Sequence, residues 1–204
     1  LEDNILYYKR KFQGIKMATI SLCMIVKNEE EVLSRCLESI KFLVDEIIIV
    51  DTGSTDSTKE IAKQYTDQIF EIPWKDDFAW ARNFSFSKAN MDFCMWLDAD
   101  DVIDEENQKK FQEMKEGLSE ETDVVMMKYA VAFDENGKAV FSYYRERILK
   151  NNGSFRWEGR VHEAVSPHGS LLYSDIEIIH KKEKAGEPGR NLRIYEKMAA
   201  EGEK

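Results

Sequence analysis

Three apolar runs constrain this chain most: residues 19–26 (TISLCMIV), 46–50 (EIIIV) and 93–97 (FCMWL). Each is nearly continuous in hydrophobicity rather than alternating. Such strands suit a parallel sheet covered on both faces. Helical spacing separates them. Val32, Leu33, Cys36, Leu37 and Ile40 follow the first run, and Asn28 with Glu31 three residues on predicts a capping box at that helix's start. Ser57 and Glu60 form a second such signal ahead of Ile61, Ala62 and Tyr65. Residues 69–72 read as a short third strand stopped by Pro73, and 78–88 as a helix. Strand and helix therefore alternate up to residue 97, which implies parallel strands joined by right-handed crossovers. Ligands of open parallel sheets bind beyond the carboxyl ends of strands. Asp51 and Asp98 both follow such ends and should converge on one crevice.

The second half has a different rhythm. A helix is expected over 104–117 and a strand over 124–133, with a hairpin turn at Asn136-Gly137. Residues 140–144, 147–150 and 176–179 are candidate strands, the last ending at His180, and 190–204 reads as a helix. The sheet should become mixed here.

The 204 residues fit one domain, or one domain with an appendage. A composition 43% hydrophobic and 33% charged is globular. The net charge of -10 repels phosphate backbones and argues against a nucleic-acid partner. Carboxylates can still hold a nucleotide through a divalent cation. Cys23, Cys36 and Cys94 are odd in number and read as reduced core residues. No stretch is apolar for long enough to span a bilayer, and residues 1–16 are polar and basic, so a cytoplasmic location is expected.

Asp98-Ala99-Asp100-Asp101 is the sharpest chemical feature. Carboxylates alternating at a strand end can share one hard cation, Mn²⁺ or Mg²⁺, that also takes substrate phosphates. The plainer alternative is an acidic turn capping the next helix. Asp51 in VDTGSTD either accepts a hydrogen bond from a base or ribose or belongs to an ordinary strand-to-helix turn. Residues 157–163 (WEGRVHE) gather an arginine, a histidine and two glutamates, so Glu163 is either a general base for an acceptor hydroxyl or part of a surface salt-bridge cluster. His180 is either a metal ligand or a structural histidine. Arg82 either contacts a nucleotide or covers its helix.

Residues 20–30 (ISLCMIVKNEE), 50–56 (VDTGSTD), 81–83 (ARN) and 96–101 (WLDADD), in this order, resemble glycosyltransferase family 2, of the GT-A fold. The later VHEAV and IIH segments resemble a bacterial branch often followed by helical, TPR-like repeats. The resemblance implies an α/β, Rossmann-like, mostly parallel sheet with helices on both faces and a mixed C-terminal half. It also implies metal-dependent, inverting transfer of a sugar from a nucleotide-diphosphate donor, typically a UDP-sugar, to an acceptor such as a saccharide, peptide or lipid. Asp51, Arg82 and Asp98 match the nucleotide pocket, Asp98 and Asp100 the DXD pair, Asp100 and His180 the ligands of Mn²⁺ or Mg²⁺, and Glu163 the catalytic base. The domains expected are an arm (1–18), the transferase domain (19–184, with a nucleotide-binding half 19–104 and an acceptor half 105–184) and a C-terminal helix (185–204) that starts an extension. Two competing functions remain at this level: a nucleotidyltransferase, which normally wants a basic glycine-rich loop near the N-terminus, and a non-catalytic donor-binding scaffold.

Overall fold

The computed structural model of the protein describes residues 17–182 and 187–202. The predicted arm thus lies outside the described residues, save for 17 and 18, as do the last two residues of the predicted C-terminal helix.

The strands are β1 (Ile20–Val26), β2 (Glu46–Asp51), β3 (Ile69–Glu71), β4 (Phe93–Trp96), β5 (Asp101–Val102), β6 (Val124–Phe133), β7 (Ala139–Lys150), β8 (Trp157–Glu158), β9 (Ala164–Val165) and β10 (Leu171–His180). The helices are α1 (Leu33–Ile40), α2 (Thr58–Ala62), α3 (Phe78–Phe86), α4 (Glu105–Gly117) and α5 (Arg190–Ala200). Eight strands form one sheet in the order β3-β2-β1-β4-β7-β6-β10-β5, while β8 and β9 pair separately. β3, β2, β1 and β4 are mutually parallel. β7 then runs antiparallel between β4 and β6, β10 is parallel to β6, and β5 closes the edge antiparallel to β10.

β1 explains why its sequence is apolar throughout. Ile20, Leu22, Met24 and Val26 pack on one face with Leu33, Leu37 and Ile40 of α1, Ala62 of α2 and Phe111 of α4. Cys23 points the other way, joining Ile48, Val50 and Cys94 against Phe84 and Phe86 of α3. Helices cover both faces, as the continuous runs require. All three cysteines are buried and unpaired, as expected.

Neither predicted capping box forms. Val32 precedes α1 without a side-chain cap bond, and Asn28 instead sits at φ 55°. Its amide donates to Ser54 Oγ at 2.9 Å and its Oδ1 accepts from the Thr55 amide at 2.8 Å. Ser57 takes the N-cap position of α2 without a side-chain bond, and Asp56 just before it accepts from the Thr58 amide at 3.0 Å. The polar residues after β1 are used to lace two neighbouring loops together, so they are not available as caps.

The two strands predicted over 140–150 are one, β7, interrupted by a register shift opposite Val125 and Met126. β10 begins five residues before the predicted start, and those added residues, Leu171–Asp175, are largely exposed.

Candidate active site

The Asp98–Asp101 segment turns sharply where β4 ends. The Asp101 amide donates to Asp98 O at 3.0 Å, and the Asp98 amide donates to Asp101 Oδ2 at 3.1 Å. Pairing of β5 with β10 sets His180 opposite Asp101. His180 Nδ1 thereby lies 3.3 Å from Asp101 Oδ1, 3.4 Å from Asp100 Oδ1 and 2.8 Å from the Tyr129 hydroxyl.

Three carboxylates in four residues repel one another, and the fold compensates them unequally. Asp101 is fully buried and pairs with the equally buried Arg147, whose Nη1 lies 3.0 Å from Oδ2. The Arg147 guanidinium also stacks over Trp96 at 3.8 Å and Tyr129 at 4.3 Å. Asp98 pairs with Arg82 Nη2 at 2.7 Å. Burial works against the ionised form of Asp98, but Arg82 and Arg147 outweigh it and hold the carboxyl below its ordinary value. Among the described residues no lysine or arginine pairs with Asp100. Burial, reinforced by Asp98 and Asp101 against the pull of His180, raises its carboxyl. The hydrogen bond to Asp101 raises the His180 imidazole, burial opposes, and Asp100 adds to the rise.

Arg82 links this cluster to the second half of the chain. Its Nε donates to Glu163 Oε1 at 2.7 Å. The guanidinium lies over the Trp96–Trp157 pair, 4.7 and 4.9 Å from the ring centres. Burial disfavours its charge, yet Asp98 and Glu163 together hold it above the ordinary arginine value. The Glu163 loop is fixed to α3 by backbone and amide contacts. Asn83 Nδ2 donates to Trp157 O at 2.9 Å, the Trp157 amide donates to Asn83 Oδ1 at 2.9 Å, and the Phe78 amide donates to Arg160 O at 3.0 Å.

Asp51 is buried at the end of β2. Its Oδ1 accepts from the amides of Gly53 and Ser54, each at 2.9 Å. Its Oδ2 is buried with no hydrogen-bond partner. Gly53 holds φ 105°, where a side chain would be strained, so the turn that presents Asp51 depends on glycine.

A cleft of about 710 Å³ opens beyond these strand ends. Arg82, Asp98, Asp100, Glu163 and His180 all line it. Asp51 does not, although its neighbour Thr52 does. Five of the six residues singled out from sequence therefore meet in one crevice. Asp100, Asp101 and His180 offer ligand atoms within 4.8 Å of one another, an oxygen and imidazole set that fits Mn²⁺ or Mg²⁺. Sequence reasoning missed Arg147, Tyr129 and the Trp96–Trp157 pair. The one signal was an arginine opening an apolar strand at residue 147. α5 also reaches the rim: Arg190 lines the cleft and stacks on Phe78 at 4.7 Å, and Lys197 pairs with Asp76 at 3.1 Å.

The family model described as glycosyl transferase family 2 matches residues 21–186. A TPR repeat-containing protein of Synechococcus elongatus is 36% identical over 155 residues, covering 76% of this chain and 37% of that protein. The prophage-derived glycosyltransferase SunS of Bacillus subtilis is 34% identical over 193 residues, covering 88% of this chain and 45% of SunS. The chain thus spans less than half the length of these two relatives. Among solved structures, the glucosyl-3-phosphoglycerate synthase of Mycobacterium tuberculosis in complex with Mn²⁺ and UDP-glucose superposes with a TM-score of 0.60 at 16% identity, covering 99% of this chain and 84% of that one. That likeness shows the fold, the GT-A arrangement expected from the sequence.

Proposed function

The chain belongs to glycosyl transferase family 2, and from that premise we propose that it transfers a sugar from a UDP-sugar to an acceptor hydroxyl or similar nucleophile, with inversion and with a divalent cation. The observation that carries this reading is the convergence of Arg82, Asp98, Asp100, Glu163 and His180 on one cleft at the strand ends. The solved relative bound to Mn²⁺ and UDP-glucose supports the choice of donor and metal.

Asp51 Oδ2 is a buried acceptor without a donor, which suits an N–H of a nucleobase such as uracil. Asp98, held by Arg82, faces the nucleotide. Asp100 and His180 would hold the cation, with Asp101 beside them. Mn²⁺ or Mg²⁺, when bound, would offset charge on the diphosphate. Arg82 adds fixed positive charge beside the same position. Glu163 takes the acceptor proton as the acceptor oxygen bonds to the anomeric carbon and the bond from that carbon to the diphosphate breaks, the electron pair leaving with the diphosphate. One Glu163 oxygen is held by Arg82, which aims the other.

The division of labour follows the same reading: 19–104 binds the nucleotide, 105–184 presents base and acceptor site, and 185–204 begins an extension. Among the described residues no helix is long and apolar enough to cross a membrane. Three unpaired thiols suit a reducing compartment, so the cytoplasm is the location we infer.

Calorimetric titration of UDP tests the donor site. Saturable binding should require Mn²⁺, disappear with chelator and be lost in Asp100→Ala. Binding that ignores both the cation and Asp100 would refute the metal assignment.

A further inference from the structure

Ten large hydrophobic side chains are exposed among the described residues, and seven of them lie on β7 and the start of β10. Side chains alternate along a strand, so Phe141 and Tyr143 share one face of β7 while Val140 and Tyr144 take the other; exposed rings that touch, unlike scattered apolar residues, mark a contact site. Part of this group is wired to the cleft. Phe141, 58% exposed, has its ring 5.9 Å from that of Tyr143, which is 41% exposed. Tyr143 meets the buried Tyr129 edge-on at 5.8 Å. Tyr129 in turn meets the His180 ring at 5.5 Å and touches Nδ1 through its hydroxyl. An unbroken line of rings runs from solvent to the candidate metal ligand.

The topology places that line at the correct end of the sheet. β6 is parallel to β10, so its C-terminal end lies on the side of His180. β6 and β7 stay paired out to Phe133 and Ala139, whereas β10 pairs with β6 only as far as Ala130 and β4 pairs with β7 only over residues 148–150. The β6–β7 ribbon therefore extends past its neighbours beside the cleft.

We propose that Tyr143 and Phe141 form the acceptor platform and that the acceptor they take is a saccharide. The proposal rests on the transferase reading and names its acceptor class. A pyranose ring presents a face of C–H groups bordered by hydroxyls. That face matches a half-exposed aromatic ring, and the Tyr143 hydroxyl supplies a polar contact at the edge. Phe141 and Tyr143, two residues apart on β7, share one face of the ribbon and present ring faces rather than the strand's backbone edge. A peptide added to the free edge of β7 would run along the strand instead.

The test uses the chain labelled with 3-fluorotyrosine, the Tyr143 signal being assigned through Tyr143→Phe. Chitotetraose, maltotetraose, cellotetraose and mannotetraose are titrated by ¹⁹F NMR without nucleotide. At least one should shift the Tyr143 signal saturably, and Phe141→Ala should weaken that binding about fivefold to tenfold. UDP affinity in Mn²⁺ should be unchanged in Phe141→Ala and Tyr143→Ala. No shift with any of the four sugars overturns the proposal. So does a shift of equal affinity in Phe141→Ala, a response to an unstructured peptide alone, or a signal that moves only with protein concentration, which would make the ribbon a contact between copies. Failure of wild-type UDP binding would strike the donor reading instead, since the sugar titration is read independently.

Discussion

The two halves of the cleft are built on opposite terms. The first, residues 19–104, places its functional groups directly after buried parallel strands, so Asp51 and Asp98 inherit their positions from the core. The second places Glu163 on an irregular loop between two-residue strands and His180 at the end of a partly exposed one. The loop acquires order from its neighbour: Asn83 and Arg82 of α3 hold Trp157 and Glu163. One half is a scaffold and the other is clamped to it. Donor binding and acceptor activation should then be separable by mutation.

The largest effect expected is on that separation. Glu163→Gln keeps the size of the side chain and a carbonyl oxygen for Arg82 but removes the base. Transfer should fall by about 10²- to 10⁴-fold while UDP affinity in Mn²⁺ holds within roughly threefold. Steady-state transfer with paired calorimetry measures both. An equal loss in the two would mean that Glu163 supports the donor site through Arg82 and is no base.

The next effect concerns the clamp between halves. Asp101 and Arg147 are wholly buried, one from each region. Removing one charge strands the other, so Asp101→Ala should cost about 3–5 kcal/mol in urea unfolding. The double variant Asp101→Leu with Arg147→Met removes both charges and should recover most of that stability. It should not recover metal-dependent UDP binding, because His180 has lost the partner facing it. A double variant as unstable as the single one would show that packing around Trp96 and Tyr129, not charge, makes the contact.

The same contrast explains what the sequence disclosed. Short continuous apolar runs bounded by turns and interleaved with helical spacing suit buried parallel strands, so β1, β2 and β4 and the acidic strand end were legible, and with them Asp51, Asp98 and Asp100. His180 and Glu163 entered through resemblance and through residue type. Arg147 was invisible as a site residue, since nothing local says that an arginine in a strand will find a carboxylate 46 positions away. Trp157 was legible only as part of a charged motif, and its edge-on contact with Trp96 at 5.2 Å is purely tertiary. The capping boxes misled for a related reason: Asn28 and Ser57 have the right chemistry, but a neighbouring loop competes for it.

The smallest effect probes how the first half orders itself away from the cleft. Glu46 begins β2, at the opposite end of the strand from Asp51. Its carboxylate accepts from the Ser21 hydroxyl, from the Asn90 amide and side chain at 2.9 and 2.7 Å, and from Gln68 Nε2 at 2.9 Å. No cation is needed here: burial opposes the charge, and these neutral donors outweigh it and lower the carboxyl below its ordinary 4.5. A carboxyl depressed in the folded state contributes stability above its unfolded value, and that stability is lost as pH falls through the folded value. Glu46→Gln turns one acceptor into a donor facing donors, and should cost about 1–2 kcal/mol at neutral pH. Urea midpoints of the two proteins should converge as the pH drops below 4.5 and on through the lower folded value, where the wild-type carboxyl also becomes a donor. UDP binding should not change. A difference that persists unaltered into acid would assign the cost to shape rather than charge, and the two ends of the sheet would then differ in more than their counter-ions.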